Sequence, residues 1–321
     1  MKTLENYMAV QDGSEGIIGK IVYYSIAGIL VDKQVCQDVG RSLGLPKIKP
    51  SRESRASAYK YATTALKDRV SAPTANGTKI HRIYCRDNRK DDPRRLCREL
   101  VKETLNAQSN EYKKLANIVF DKEAEEISCE NLEPDDDVDA AQYCDHALTL
   151  YDKFRNCYNA DHIDAMLQDM LDRMQANHIS IRGNLYFVPA SNLRWLDILE
   201  DYIAALAQHN QSGSAVVCNS MFVADDQKQR DKMAQEFYTG YRRDIEAYQE
   251  RIQHFIDGGC TSKAVIDRWL LKIKALEDKK KTYETILQRQ LDAMDQDFAL
   301  LQMQADELRI RDVQGQMKLA A

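Results

Sequence analysis

From Met233 to Leu308, apolar residues recur every three or four positions, and the stripe is broken near its middle by Gly258-Gly259. No other feature of this chain limits its fold so strongly, because a stripe of that period is buried along one face of a helix. The first arm carries Met233, Phe237, Tyr241, Ile245, Tyr248, Ile252 and Phe255. The second carries Ile266, Trp269, Ile273, Leu276, Lys280, Tyr283 and Leu287 at heptad spacing. After one extra residue it continues through Leu291, Met294, Phe298, Leu301, Ala305 and Leu308. This resembles a coiled-coil seam with a stutter, and the glycine pair predicts an antiparallel helical hairpin over residues 225–321. A second helix of that length outlasts the first by ~20 residues, about 30 Å. The overhang has to bury its stripe on the rest of the chain or on a second copy. Residues 225–313 are therefore expected to contact a partner protein or to form a homo-oligomer.

The chain has 321 residues, and 13 Gly and 6 Pro are too few for a collagen-like or low-complexity chain. Apolar residues at 44%, with 16 Tyr, 7 Phe and 2 Trp, exclude wholesale disorder. No apolar run approaches the ~20 residues of a membrane helix. The longest candidate, Ile21 to Val31, is too short and holds Ser25, and the N-terminus shows no signal-peptide core. No membrane partner is expected. The eight cysteines are scattered and unpaired in spacing, as reduced thiols of a cytoplasmic protein would be.

Outside the C-terminal stripe the predicted class is α+β. Residues 1–72 read as a small module, with a β-branched stretch over Ile17 to Ile29 and a helix capped by Asp32 that carries Val35, Cys36, Val39 and Leu43. After the Lys47-Ile48-Lys49-Pro50 connector, a second helix is capped by Ser51 and runs from Arg52 to Lys67. The pair resembles a helix-turn-helix arrangement. In that second helix Ala58, Ala62, Ala65 and Leu66 are expected to pack, and Arg55, Tyr59, Lys60 and Thr63 to face out.

Residues 78–224 mix strands and helices. Strands are predicted at Ile80–Cys85, Leu115–Asp121, Glu126–Asn131, Ile179–Arg182, Leu185–Val188 and Ala215–Val223. Hairpins are predicted at Lys122-Glu123-Ala124-Glu125 and at Gly183-Asn184. Helices are predicted at Asp92–Asn106, Asp136–Tyr158, Asp161–Ala176 and Asn192–Gln208. No whole-chain repeat is visible.

The net charge of -5 hides two blocks. Between Lys47 and Arg98 there are fifteen bases and five acids. Between Asp121 and Asp172 there are sixteen acids and three bases. Either the blocks form an anion-binding face held apart from a repelling one, or they neutralise each other within the fold.

Familiar catalytic and metal motifs fail on detail. Gly13-Ser14-Glu15-Gly16-Ile17-Ile18-Gly19-Lys20 spaces its glycines wrongly for a phosphate loop, and Ile21 stands where Ser or Thr belongs. Cys144 and His146 point about 200° apart on a helix, so they do not share a metal with Cys157 and His162. Asp135, Asp136, Asp137 and Asp139 suit a helix N-terminus. His81 and Cys85 share a strand face but lack a third partner. No G-x-S-x-G, H-E-x-x-H or G-x-G-x-x-G pattern occurs, and no cofactor or metal is predicted.

The remaining functional candidate is the basic block: Arg52, Arg55, Tyr59 and Lys60 from the second helix, Arg82 and Arg86 from one strand face, and Arg94, Arg95 and Arg98 within a helical turn. Guanidinium forks suit phosphate oxygens, and Tyr59, Tyr61 and Tyr84 suit stacking on bases. The first functional expectation is a non-enzymatic DNA- or RNA-associated accessory protein. The second is a protein–protein adaptor or oligomeric scaffold acting through the helical hairpin.

Three stretches carry a family resemblance: Leu43-Gly44-Leu45-Pro46 followed by Ser57 to Thr63; Leu96 to Glu103; and Ile181-Arg182-Gly183-Asn184-Leu185-Tyr186-Phe187-Val188-Pro189 followed by Trp195 and Leu199. Together they resemble a domain family of unknown function found in phage, plasmid and other bacterial proteins. This chain departs from its pattern at Asn184, where a second Gly is usual, and at Tyr59-Lys60, where a Phe-Arg pair is usual. The likeness covers about residues 15–210. It implies a mobile-element setting and supplies no activity or catalytic residues.

Overall fold

The computed structural model describes residues 16–45, 54–74, 77–88, 92–105, 109–179, 183–260 and 262–320, with backbone alone at 74, 77 and 311–320. The architecture is α+β. The chain divides into two compact units, one of Met1–Ser25, Leu167–Ala204 and Val216–Ala321, the other of Ile26–Met166 and Ala205–Ala215.

In the first unit, strand β1 (Ile17–Ser25) lies between β11 (Val217–Ala224) and β10 (Asn184–Pro189), and β9 (Asn177–His178) closes the far side. All neighbours are antiparallel, with Val22 opposite Tyr186 on one side and Ser220 on the other. Val22 and Tyr24 are buried, and Tyr24 stacks on Tyr186 with ring centroids 6.2 Å apart. The β9–β10 connection is wider than a two-residue turn. Tyr186 pairs with His178, and Ile179 N donates to Leu185 O at 3.0 Å. Ile181 and Arg182 of the predicted hairpin lie outside the described residues.

Helix α6 (Gln227–Asp257) begins on Asp226, whose carboxylate accepts from Gln229 N, and ends at Gly258. Gly259 supplies the turn, with φ +64. The next helix, α7 (Lys263–Leu287), stops where the sequence reading carried it onward. Gln288 adopts φ 50, and its N–H bonds back to Glu284 and Thr285 carbonyls. A short 3₁₀ turn, Asp292–Met294, then leads into α8 (Asp295–Ala320). The single long helix with an overhang is thus replaced by two helices. No Gly or Pro marks the break. It is fixed instead by side chains: Glu284 accepts from Leu291 N at 3.0 Å, and Lys280 donates to Asp295 at 2.5 Å.

The stripe itself is buried as its period demands. Phe237, Tyr241, Ile245 and Ile252 of α6, Ile266, Ile273 and Tyr283 of α7, and Phe298, Leu301 and Leu308 of α8 share one core with Phe187 and Val223 of the sheet. Tyr283 stacks on Phe237 at 4.1 Å and donates to Gln175 O at 3.0 Å. Gly240 of α6 is a packing requirement, because a Cβ there would meet Asn177 Oδ1 at 2.8 Å.

In the second unit, β2 (Leu30–Asp32) leads into α1 (Lys33–Ser42), and Asp32 caps that helix as expected by accepting from Gln34 N and Val35 N. Helix α2 spans Arg55–Ala65 and is capped by Ser54, not Ser51. Ser51 and Arg52, like the Lys47-Ile48-Lys49-Pro50 connector of the helix-turn-helix reading, lie outside the described residues. There follows a five-stranded antiparallel meander: β3 (Lys67–Thr74), β4 (Gly77–Asp87), β5 (Arg95–Leu105), β6 (Glu111–Asp121) and β7 (Glu126–Glu130). The β6–β7 turn falls at the predicted residues, with Asp121 Oδ1 accepting from Glu123 N and Ala124 N.

Three elements of this unit differ from the sequence reading. Strand β8 (Cys157–Asn159) pairs antiparallel with β2 and begins inside the predicted Asp136–Tyr158 helix. The helix predicted over Asp92–Asn106 is strand β5, paired on both sides from Asp87↔Arg98 to Ile80↔Leu105 and from Arg95↔Asp121 to Thr104↔Glu111. Leu96, Leu100 and Val101 satisfy helical and strand spacing alike, and the two flanking strands decide for strand. Strand β3 was missed because Lys67, Asp68, Arg69 and Pro73 suit an edge position, where charges and proline are tolerated. Helices α2 and α3 (Ala140–Asn156) pack on one face of this sheet, around Leu66, Ile83, Leu100, Ile118, Phe120 and Tyr151. The helices predicted at Asp161–Ala176 and Asn192–Gln208 are α4 (Ala160–Arg173) and α5 (Leu193–Gln208).

Candidate functional site

Replacing the predicted helix by β5 redistributes the basic block. Arg95 and Arg98 are an odd number of residues apart in a strand, so their side chains leave opposite faces. Arg95 bonds Glu130 of the edge strand β7, across β6. Arg98 lies against Asp87 at 2.9 Å and donates to Thr63 Oγ1 at 3.1 Å and Thr64 Oγ1 at 2.8 Å. Arg82 meets Glu103 at 3.4 Å and lies over the Tyr84 ring, and Arg86 meets Glu99 at 2.9 Å. Arg55 reaches Glu125 at 2.6 Å, and Arg94 lies 3.5 Å from Glu123. Every arginine of the proposed site that the structure describes therefore has a carboxylate partner. Three of those partners, Glu123, Glu125 and Glu130, belong to the acidic block.

Tyr59 corrects the outward reading of α2. It is 1% exposed, its hydroxyl donates to Ile118 O at 2.8 Å, and its ring stacks on Phe120. Thr63 is buried beside it, donating to Tyr59 O. No base can stack on a ring so enclosed. Tyr61 donates to Asp161 and also packs on Phe154. Lys60 is exposed and has no carboxylate within salt-bridge reach among the described residues.

The acidic block continues this pairing at the far end of β5. Buried Lys102 lies between Asp135 at 2.6 Å and Asp137 at 3.3 Å, and Lys113 adds a second bond to Asp135 at 3.0 Å. Burial alone would raise the Asp135 carboxyl, but the bonds from Lys102, Lys113 and the Asp137 N–H outweigh it and hold its pKa at about 2. Asp139 does what its place before α3 suggests, accepting from Ala141 N and Gln142 N. The Lys102 cluster is not legible in the sequence, because the apolar spacing puts Lys102 on a helix and Lys113 outside any predicted element.

Two grooves border Arg98. One, of about 790 Å³, is lined by Thr64, Lys67, Arg69, Arg82 and Tyr84 together with Asp68 and Glu103. The other, of about 440 Å³, is lined by Lys60, Arg95, Asn88 and Pro93 together with Asp87 and Asp92. Both mix bases and acids. Lys67 and Arg69 belong to the strand that sequence reasoning missed.

Other candidates resolve into structure. His81 bonds Thr104 Oγ1 at 2.9 Å and faces Asp137, while Cys85 is buried in the helix-side core. Burial pushes the Cys85 thiol up to about 12, so it stays protonated and is no nucleophile at neutral pH. His162 packs against Tyr61 and Tyr158, and Cys144 is hydrogen-bonded to Cys129. Among the described residues no three His, Cys, Asp or Glu side chains are grouped to hold a metal. Gly16 to Lys20 lie at or in β1, and residues 13–15 are outside the described residues.

The first unit carries a different kind of surface. On α8, Leu300, Met303 and Ile310 are more than half exposed. At 100° per residue they fall within a single sector opposite the buried Phe298, Leu301, Ala305 and Leu308. Leu271 of α7 is 68% exposed. On β11, Val217, Met221 and Phe222 are exposed as well.

The geometry defines an α+β protein with internally paired charge and an apolar surface on its C-terminal helices. The chain belongs to a family of unknown function (DUF6744), whose model matches residues 17–317. The match runs past residue 210 and takes in the C-terminal helices. No curated protein and no solved structure matches. Among the described residues no helix is long and apolar enough to cross a membrane.

Proposed function

We propose that this protein is a non-enzymatic protein–protein adaptor or oligomeric scaffold that works through its C-terminal helices. The observation that carries this reading is the second apolar stripe of α8, Leu300, Met303 and Ile310, opposite the face that fills the core. A surface helix normally presents one apolar face. A second one is a binding surface in helix-in-groove and helix-bundle recognition. The mobile-element setting implied by the family resemblance belongs to this proposal. Light scattering on the full chain across a concentration series tests it. Association that is reduced in a Leu300→Ser, Met303→Ser, Ile310→Ser variant supports the reading. Association that the triple variant leaves unchanged, or a strictly monomeric parent, contradicts self-assembly through α8.

A second reading, a nucleic-acid-associated protein, draws on the larger groove beside Arg98, where Lys67, Arg69, Arg82 and Arg98 outnumber Asp68 and Glu103. The helix-turn-helix likeness of α1 and α2 belongs to that reading. Its test is salt-dependent binding to duplex DNA, single-stranded DNA or RNA.

A further inference from the structure

Among the described residues, strand β11 is an open sheet edge without any of the usual protection. It is eight residues long, Val217-Cys218-Asn219-Ser220-Met221-Phe222-Val223-Ala224, and holds no charge and no proline. Among the described residues β1 is its only strand neighbour. The other edges of the two larger sheets are managed differently. Strand β3 carries Lys67, Asp68, Arg69 and Pro73, β7 carries Glu126 and Glu130, and β9 has only two residues. An uncharged edge of this length presents free backbone donors and acceptors to any strand that approaches. Its flanking side chains are apolar and accessible, with Met221 64% and Phe222 54% exposed.

We propose that β11 pairs antiparallel with β11 of a second copy about a twofold axis, joining two four-stranded sheets into one of eight strands. The strand's own chemistry selects this occupant. An antiparallel twofold sets a strand against itself, so any charge on it meets its like nearby, and this strand alone among the longer edges has none. A charged partner strand would find no counter-charge on β11. Self-pairing also closes the edge in a finite dimer, which removes the hazard of open-ended strand addition. The surface is separate from the α8 stripe, so either can fail without the other.

The test uses light scattering on the full chain and on three variants: Met221→Lys, the α8 triple serine variant, and the two combined. Circular dichroism checks that each is folded. Met221→Lys is expected to halve the mass both in the parent and in the triple-variant background, weakening the pairing at least about tenfold through like-charge opposition. Mixing Met221→Lys with Met221→Glu chains is expected to restore the dimer. Backbone amide exchange across residues 217–224 is expected to be slow in the dimer and fast in Met221→Lys. The proposal is overturned if Met221→Lys leaves the mass unchanged, if the α8 triple variant alone is monomeric, or if the mixture does not re-form a dimer. A mass halved by Met221→Lys but untouched by the α8 substitutions would retain the β11 pairing and defeat the α8 reading.

Discussion

Tyr59 and Asp135 show how a side chain's role depends on what lies across the fold. On α2 the residues facing inward are Ala58, Tyr59, Ala62 and Thr63. The alanines make that face legible, but its tyrosine and threonine look equally fit for solvent. Ile118 O, contributed from 59 positions away, decides for the core by accepting the phenol's hydrogen bond. Tyr59→Phe is expected to cost about 1 kcal/mol, the worth of that hydrogen bond. Tyr59→Ala is expected to cost about 3–5 kcal/mol, through the cavity it leaves. Urea unfolding of both variants measures the difference, and equal midpoints for parent and Tyr59→Ala would place the ring at the surface.

Asp135 makes a pH-dependent contribution. Its folded-state pKa of about 2 lies below the ordinary aspartate value of about 3.9. The stabilisation is therefore complete above about pH 4 and is lost as pH falls through about 2. Asp135→Asn is expected to be less stable than the parent at neutral pH, with the gap closing below about pH 3. Unfolding midpoints measured between pH 2 and 7 check this. A gap independent of pH would mean the carboxylate is not held by Lys102 and Lys113.

At the scale of elements, periodicity located buried residues better than it located breaks. The stripe from Met233 to Leu308 is buried almost residue for residue, because a helix has no other way to hide apolar side chains at that spacing. The break at Gln288 carries no glycine or proline, so the stutter was read as continuous helix. The cap at Asp32 and the acids that suit a helix N-terminus, Asp139 among them, were local signals and therefore readable. The identity of β5 was not, since Leu96 to Leu105 fits either period and only the pairing with β4 and β6 settles it.

At Gly240 two elements of the first unit, α6 and β9, press close together. Alanine is better than glycine in an isolated helix by about 1 kcal/mol. Here the added methyl would meet the buried Asn177 amide, so Gly240→Ala is expected to lower the melting temperature rather than raise it, by about 1–3 kcal/mol of stability. Scanning calorimetry gives the sign, and a raised melting temperature would mean β9 has room to move away.

At the scale of the whole molecule, both charge blocks were visible in the sequence, but their relation was not. Register across a meander sets it: β7, brought beside β6, carries Glu130 to Arg95, and the loop before α3 carries Asp135 to Lys102. A basic block whose described arginines, from Arg55 to Arg98 in the candidate site, each face a carboxylate releases few counterions from a polyanion, so its binding to nucleic acid should be weak and its salt dependence shallow. Fluorescence anisotropy with labelled duplex DNA, single-stranded DNA and RNA, at low and at physiological ionic strength, measures this directly. No saturable binding to any of the three at low salt is the expected result. Tight binding that weakens steeply as salt rises would contradict it and would place the function in the grooves beside Arg98.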